Sequence, residues 1–583
     1  MTLTDARSSA SLPHRWTTSG LLPGLLGVLL LASPLAGQEP PPEPTPIQPG
    51  MKSPPGTYDT GLSALHYDIT LHLSDDQNWI RGDVAIRMRA ERGGVTSAQL
   101  DFTGLAVTSA RVDGARAPHA AEAGRLTIPL GRTLNAGDEV VVEIAYRGVP
   151  DDALQLRTNV YGNAAAFVDN WPNRTRFWLP SVDHPSDKAT ARFTVDAPEA
   201  WEVVANGRQV GQPYPTPPDS LGPEEGPRRT WVYVTEVPHP TYTLVVGAAD
   251  MVITPLGTGA CGRAPASSRA DGCVEVTTWL FPRSVETASP SFARAVEMLD
   301  FFTDVIGPYP FEKLAHVQSS TRFGGMENSS AIFYDERALA AGRDIEGTVS
   351  HEVAHQWFGD SVTPSDWSEL WLSEGFATYF GNVFFEYADG EEAFRERMAA
   401  AAARYLSSVD TLSPVVDTSK ENLFDLLNRN SYQKGGWVLH MLRGIVGDEP
   451  FFEAMRVFYE RYTYGNADSG DLQEVVEEVT GTDLDWFFEP WLRRPGYPVL
   501  AVERAADEAT GDLVVTLRQV QGEYAPRFRL PLELELAWDG GTRRERVTLE
   551  GASGTFAFEG IPPDADVVVD PDGWVLMRLA GES

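Results

Sequence analysis

Five residues beginning at His351, His-Glu-Val-Ala-His, have the types and spacing of a metal site. In a helix, His351 and His355 lie four apart and project from one face, one turn from each other. Two imidazoles so placed suit one zinc ion. Glu352 beside them offers a carboxylate able to take a proton from a water that the metal polarises. A third ligand is available in Glu374, nineteen positions after His355 in Trp-Leu-Ser-Glu-Gly-Phe, on what reads as the next helix. A surface or core helix carrying two histidines is the plainer account of the pentapeptide alone, and the downstream glutamate weighs against it.

These residues need helices to hold them, and the period of the apolar residues supplies them. Spacings of three and four recur over 292–306, 343–360, 369–388, 391–408, 431–446 and 471–479. Ahead of the histidines, the segments 315–320 and 330–334 read as strands flanking a glycine-containing turn. Strands followed by helices imply an α+β domain over 256–495. Before it, 58–255 alternates apolar and polar residues, as in Tyr67-Asp-Ile-Thr-Leu-His-Leu, and reads as a β-sandwich. An exposed loop is expected at 212–227. After the α+β part, 496–583 alternates again and reads as a second, smaller β-sandwich. The fold class expected is multidomain α+β.

Three or four domains fit a chain of 583 residues with 42% hydrophobic content. The net charge of −35 repels phosphate backbones, so no nucleic-acid partner is expected. The same field could draw in cationic groups such as a peptide's N-terminal amine. Residues 1–37 read as a signal peptide: Arg7 and Arg15, an apolar run from Leu21 to Leu31, then small residues. That run is short for a membrane span, so none is expected after its removal, although an uncleaved anchor fits the same residues. A Pro-rich linker follows over 38–57. Periplasmic or extracellular placement is expected, and with it one disulfide between Cys261 and Cys273, the two cysteines of the chain.

With these residues in hand, the chain resembles the zinc metallo-aminopeptidases of the aminopeptidase N (alanyl aminopeptidase) and leukotriene hydrolase family, the gluzincins. The pattern His351-Glu352-x-x-His355, eighteen residues, then Glu374 is similar to the family's zinc motif, and the neighbouring words His355-Gln-Trp-Phe-Gly-Asp and Leu370-Trp-Leu-Ser-Glu-Gly-Phe-Ala-Thr-Tyr match as well. Gly324-Gly325-Met326-Glu327-Asn328 resembles its exopeptidase motif. Tyr432-Gln-Lys-Gly resembles the segment of its catalytic tyrosine, and the stretch from Arg176 to Lys188 resembles a stretch of its β-domain. The resemblance implies an N-terminal β-sandwich, a thermolysin-like catalytic domain and a small C-terminal β-sandwich. It implies one zinc per chain on His351, His355 and Glu374, with Glu352 and Tyr432 catalytic. Gly324, Gly325, Met326, Glu327 and Asn328 would contact peptides that carry a free N-terminus. Many members continue into a large helical domain, which a chain ending at Ser583 is expected to lack.

Three departures from the family pattern stand out. Gly325 replaces a common alanine, a change expected to matter little. Ser373 stands where asparagine often precedes the third ligand. Family members usually place a glutamine or acidic residue of the β-domain beside the substrate amine; the local sequence Phe167-Val-Asp-Asn-Trp-Pro-Asn-Arg holds no glutamine, and the resemblance then implies Asp169 or Asn170 in that role. Glu327 is the reason to expect an exopeptidase, because a carboxylate beside the metal can pair with an α-ammonium and count from the chain end. Asp360 and Glu369 are candidates for orienting the histidines. The activity expected is hydrolysis of N-terminal residues from peptides. An inactive zinc-binding scaffold, an epoxide hydrolase and an endopeptidase are the alternatives on the same fold.

Overall fold

The computed structural model describes residues 49–53, 58–73, 79–217 and 226–581. The expected signal segment, most of the linker and the centre of the loop expected at 212–227 lie outside them.

The first part is β because its buried positions alternate with exposed ones, which a pleated strand sends to opposite faces. Its large sheet has ten strands, among them β1 (Leu62–Leu73), β2 (Ile80–Ala90), β3 (Glu139–Gly148), β4 (Lys188–Pro198) and β5 (Arg228–Val234). β1 runs parallel to β4 and antiparallel to β2. A four-stranded sheet, containing Ala164–Val168 and Val246–Ala249, shares a core with it.

The central part is built on a five-stranded sheet of β6 (Val252–Gly259), β7 (Val274–Leu280), β8 (Leu314–Ser319), β9 (Gly325–Met326) and β10 (Ala331–Asp335), in the order β6-β7-β8-β10-β9. The glycine-containing turn expected between two strands thus holds a strand of its own. β9 pairs antiparallel with β10 and ends the sheet, so its other edge is open. Around the sheet lie α1 (Ala295–Val305), α2 (Glu346–His355), α3 (Trp371–Asp389), α4 (Glu391–Leu406) and α5 (Gly435–Val446). The helical period predicts α2 as far as Asp360, yet the helix stops at His355. Beyond it the chain folds into a tight turn, with Gly359 at φ +121° and Asp360 N–H bonded to the His355 carbonyl at 3.1 Å. From Val499 onward, a four-stranded and a three-stranded sheet form the C-terminal part. Cys261 and Cys273 are disulfide-bonded. No helix among the described residues is long and apolar enough to cross a membrane.

Apolar contacts continue from part to part. Phe167 of the N-terminal region meets Phe333 of β10 edge-on at 5.7 Å, and Trp574 of the C-terminal region stacks on His440 of α5 at 4.6 Å. Polar contacts also cross. Lys188 Nζ donates to the carbonyls of Ser361 (2.9 Å) and Gly465 (2.6 Å), and Tyr242 Oη donates to that of Gly359 (3.0 Å). The N-terminal region therefore grips the turn that follows the histidine helix. Burial pulls the Lys188 ammonium down to about 7.

One buried group makes the fold acid-sensitive. His239 stacks on Phe311 at 5.0 Å, and neither ring nitrogen meets a hydrogen-bond partner among the described residues. Burial, with Lys188 and Lys313 adding to it, lowers its pKa to about 3. Between pH 3 and the ordinary histidine value of about 6.5, the unfolded chain binds this proton and the native chain does not. Stability therefore falls as the pH drops through that window. His239→Phe is expected to move the midpoint of acid unfolding, followed by circular dichroism, to lower pH. An unchanged or higher midpoint would contradict this account.

Candidate metal and peptide site

The helical spacing does what residue types alone suggested. From consecutive turns of α2, His351 and His355 bring their Nε2 atoms to 3.0 Å of each other. Oε2 of Glu374, in the first turn of α3, lies 3.2 Å from each. A tetrahedral zinc with bonds of about 2.0–2.1 Å sets its ligand atoms about 3.3 Å apart, close to this triangle. His355 Nδ1 lies 3.1 Å from the Phe358 carbonyl and 3.1 Å from Ser373 Oγ. Donation from Nδ1 leaves the Nε2 lone pair facing the triangle, the tautomer a metal ligand needs. Ser373, which departs from the family pattern, thus supports a ligand directly. Asp360 and Glu369 do not orient the histidines. Asp360 accepts from Gln356 Nε2 at 2.8 Å, and Glu369 accepts from Ser469.

The charge balance fits a cation. Burial opposes a charged His355, yet the carboxylates of Glu327, Glu374 and Glu352 outweigh it and push its pKa up to about 10. Burial raises Glu352 and Asp360 well above the usual carboxylate range, and Glu327 to about 7. So many carboxylates around two imidazoles lack positive charge, which a divalent ion would supply.

The edge strand β9 crosses the site over Glu352. A Cβ at Gly325 would lie 2.2 Å from Glu352 Oε1 and 2.6 Å from its Cγ. The expectation that alanine would matter little here is corrected: the volume of that methyl is occupied by the Glu352 carboxylate, which would have to move. Glu327 follows at once. Its carboxylate, that of Glu352 and a His355 nitrogen all lie within 4.8 Å of one another. Gln356 fastens this strand to the helix. Its Nε2 donates to the Glu327 carbonyl at 2.8 Å, and its Oε1 accepts from Ser330 N–H at 2.8 Å.

α3 and α5 cross in near backbone contact. A Cβ at Gly375 would meet the Gly435 backbone at 2.8 Å, so only glycine permits the approach. The chain enters α5 through a π-helical turn, Asn430–Lys434, which aims Tyr432 inward. Tyr432 Oη donates to Glu374 Oε1 at 2.8 Å, and burial followed by the Glu374 charge keeps the phenol protonated.

Among the expected site residues, His351, His355, Glu374, Glu352, Tyr432, Gly324, Gly325, Met326 and Glu327 all line one cavity of about 590 Å³. Three do not. Asn328 is buried behind the strand. Asp169 is committed to Arg174 at 2.8 Å and to Arg322 N–H at 3.2 Å. Asn170 accepts from Trp178 Nε1 at 2.8 Å and donates to the Leu244 carbonyl at 2.6 Å. The next residue, Trp171, reaches the cavity instead. Thr348, Asn382, Arg397 and Arg404 line it as well and escape a sequence reading. The helical repeat from His351 back to Thr348 was a usable signal for the first of them. Nothing local marks the arginines of α4.

Comparison with known proteins agrees with this geometry. The peptidase M1 N-terminal domain matches residues 63–243 and the peptidase family M1 domain matches residues 291–491. The chain belongs to the peptidase M1 family. It is 30% identical over 403 residues to an aminopeptidase N of Streptomyces lividans, covering 66% of this chain and 44% of that protein. It is 25% identical over 456 residues to a probable aminopeptidase 2 of Sulfurisphaera tokodaii, covering 75% and 54%. It also resembles the crystal structure of an M1 zinc metallopeptidase from Deinococcus radiodurans, with a TM-score of 0.63, 26% identity, and coverage of 75% of this chain and 95% of that one. The chain spans about half the length of the curated relatives it matches.

Proposed function

We propose that the chain is an exported, zinc-dependent aminopeptidase that removes N-terminal residues from peptides. One observation carries the reading: the Glu327 carboxylate lies within 4.8 Å of those of Glu352 and of a His355 nitrogen, so an anchor for an amine stands one residue's reach from the bond to be cut. His351, His355 and Glu374 are the residues that would hold the zinc, and the ion would supply polarisation of water and of the scissile carbonyl. Glu327 pairs with the substrate's α-ammonium. The open edge of β9 takes the peptide as an added strand, fixing the carbonyl over the triangle. Glu352 accepts a proton from the attacking water and delivers it to the departing amine. Tyr432 Oη swings from Glu374 to donate to the oxygen that gains negative charge. The Cys261–Cys273 disulfide supports export to an oxidising compartment.

The reading is tested with an alanine nitroanilide and its N-acetylated counterpart, each with and without chelator. Hydrolysis of the free amine alone, abolished by chelator and restored by zinc, is expected. Cleavage confined to the blocked substrate, or activity indifferent to chelation, would overturn it. Glu327→Ala is expected to lower kcat/KM on the free amine by about tenfold or more while leaving any residual cleavage of the blocked substrate in place. An equal loss on both would remove the anchor assignment.

A further inference from the structure

The peptide bond after His355 leads directly into the residue that holds the backbone of Glu327. Gln356 closes α2 and is fully buried. Its Nε2 donates to the Glu327 carbonyl at 2.8 Å and to Asp360 Oδ2 at 2.8 Å. Its Oε1 accepts from Ser330 N–H at 2.8 Å and from Tyr309 Oη at 3.2 Å. A backbone carbonyl on one side and a backbone N–H on the other fix which way the amide faces. Two donated and two accepted bonds use its whole capacity.

The segment it holds is tightly constrained. β9 ends at Met326, so its ladder with β10 stops one residue before Glu327. Ser330 has φ +65°, a left-handed backbone that serine seldom adopts. Such a conformation persists only where the surroundings over-determine it, and it clusters at sites where geometry serves function. The N-terminal region holds the same segment from its other side. Asn206 Nδ2 donates to the Ser329 carbonyl at 2.8 Å, and Gly207 N–H donates to Ser330 Oγ at 2.9 Å. On the helix side, His355 and Gln356 are chain neighbours, with Cα atoms about 3.8 Å apart. One covalent link and one hydrogen bond therefore join a metal-ligating residue to the residue that bears the amine anchor. Gln356 does not line the cavity, so its effect on a substrate passes through Glu327.

We propose that Gln356 is a positioning residue that fixes the Glu327 carboxylate relative to His355 and so sets the count at one residue from a free amine. This rests on the aminopeptidase reading, in which Glu327 is the amine anchor.

The test titrates zinc-loaded protein calorimetrically with alanine hydroxamate and with its N-acetylated counterpart, which differ at the amine alone. The wild type is expected to bind the free amine about tenfold to a hundredfold more tightly, the range for a hydrogen bond to a charged group. Gln356→Met has similar length and removes all four polar contacts. It is expected to narrow that ratio about tenfold, with zinc content and the Kd of the acetylated compound unchanged. In a Glu327→Ala background the same substitution is expected to leave the ratio as it is, because the residue it acts through is gone. Gln356→Asn withdraws the amide by one methylene, out of reach of both backbone partners, and is read in the same way if Gln356→Met does not fold. Both compounds weakened alike, or a further narrowing in the Glu327→Ala background, overturns the proposal. No preference for the free amine in the wild type would sink the aminopeptidase reading and the proposal with it. A wild-type preference that survives the substitutions undiminished sinks the proposal alone.

Discussion

Glu352→Gln is expected to retain zinc and to lose about two to four powers of ten in kcat, the range for removing a general base. The amide keeps the shape of the side chain, so the packing against Gly325 is preserved. Only the ability to accept a proton goes. The experiment also decides between two overlapping donor sets, because His355 can be grouped with His351 and Glu374, or with Glu327 and Glu352. The first set has a lone pair directed inward from each histidine. The second would leave His351 without a role. If the ion sat in the second set, the glutamine variant would lose metal, and mass spectrometry of the dialysed protein would show it. Near wild-type turnover with metal bound would instead refute the general-base role.

Tyr432→Phe is expected to cost about two to three powers of ten in kcat with little change in KM, the magnitude for one donor to a developing oxyanion. The hydroxyl touches Glu374 at 2.8 Å, so an alternative role is to orient that residue. The two roles separate cleanly. An orienting hydroxyl would weaken zinc binding, and excess zinc would restore kcat. A hydroxyl acting on the substrate leaves zinc affinity unchanged and kcat low at any zinc concentration. Recovery of kcat with added zinc would overturn the catalytic assignment.

The shared face of His351 and His355 and the acid between them were legible in the sequence because they depend on local geometry, whereas the approach of Glu374 depends on how two helices pack. Positions four apart on a helix must face the same way, and this needs no tertiary knowledge. The helix boundary was less legible. The apolar period runs on past His355, but the fold needs the carbonyls of Gly359 and Ser361 turned toward Tyr242 and Lys188, and these partners lie far away in sequence. Asp169 and Asn170 illustrate the same limit from the other side. Their types suited an amine contact, yet both are consumed by partners as distant as Leu244 and Arg322, and the residue that faces the cavity is Trp171.

What this chain's sequence determined on its own was the chemistry of His351, Glu352, His355 and Glu374; the resemblance supplied Glu327 and Tyr432, and the structure turned the glycine-containing segment before Glu327 into an edge strand. Only the tertiary structure decided which distant segments meet at the site. Gly325 lets a strand lie against Glu352, Gly375 and Gly435 let two helices meet so that Tyr432 arrives at Glu374, and the packing of α4 brings Arg397 and Arg404 to the cavity wall. The physical reason is that side-chain direction follows from local backbone period, whereas close approach depends on what fills the space between segments far apart in the chain.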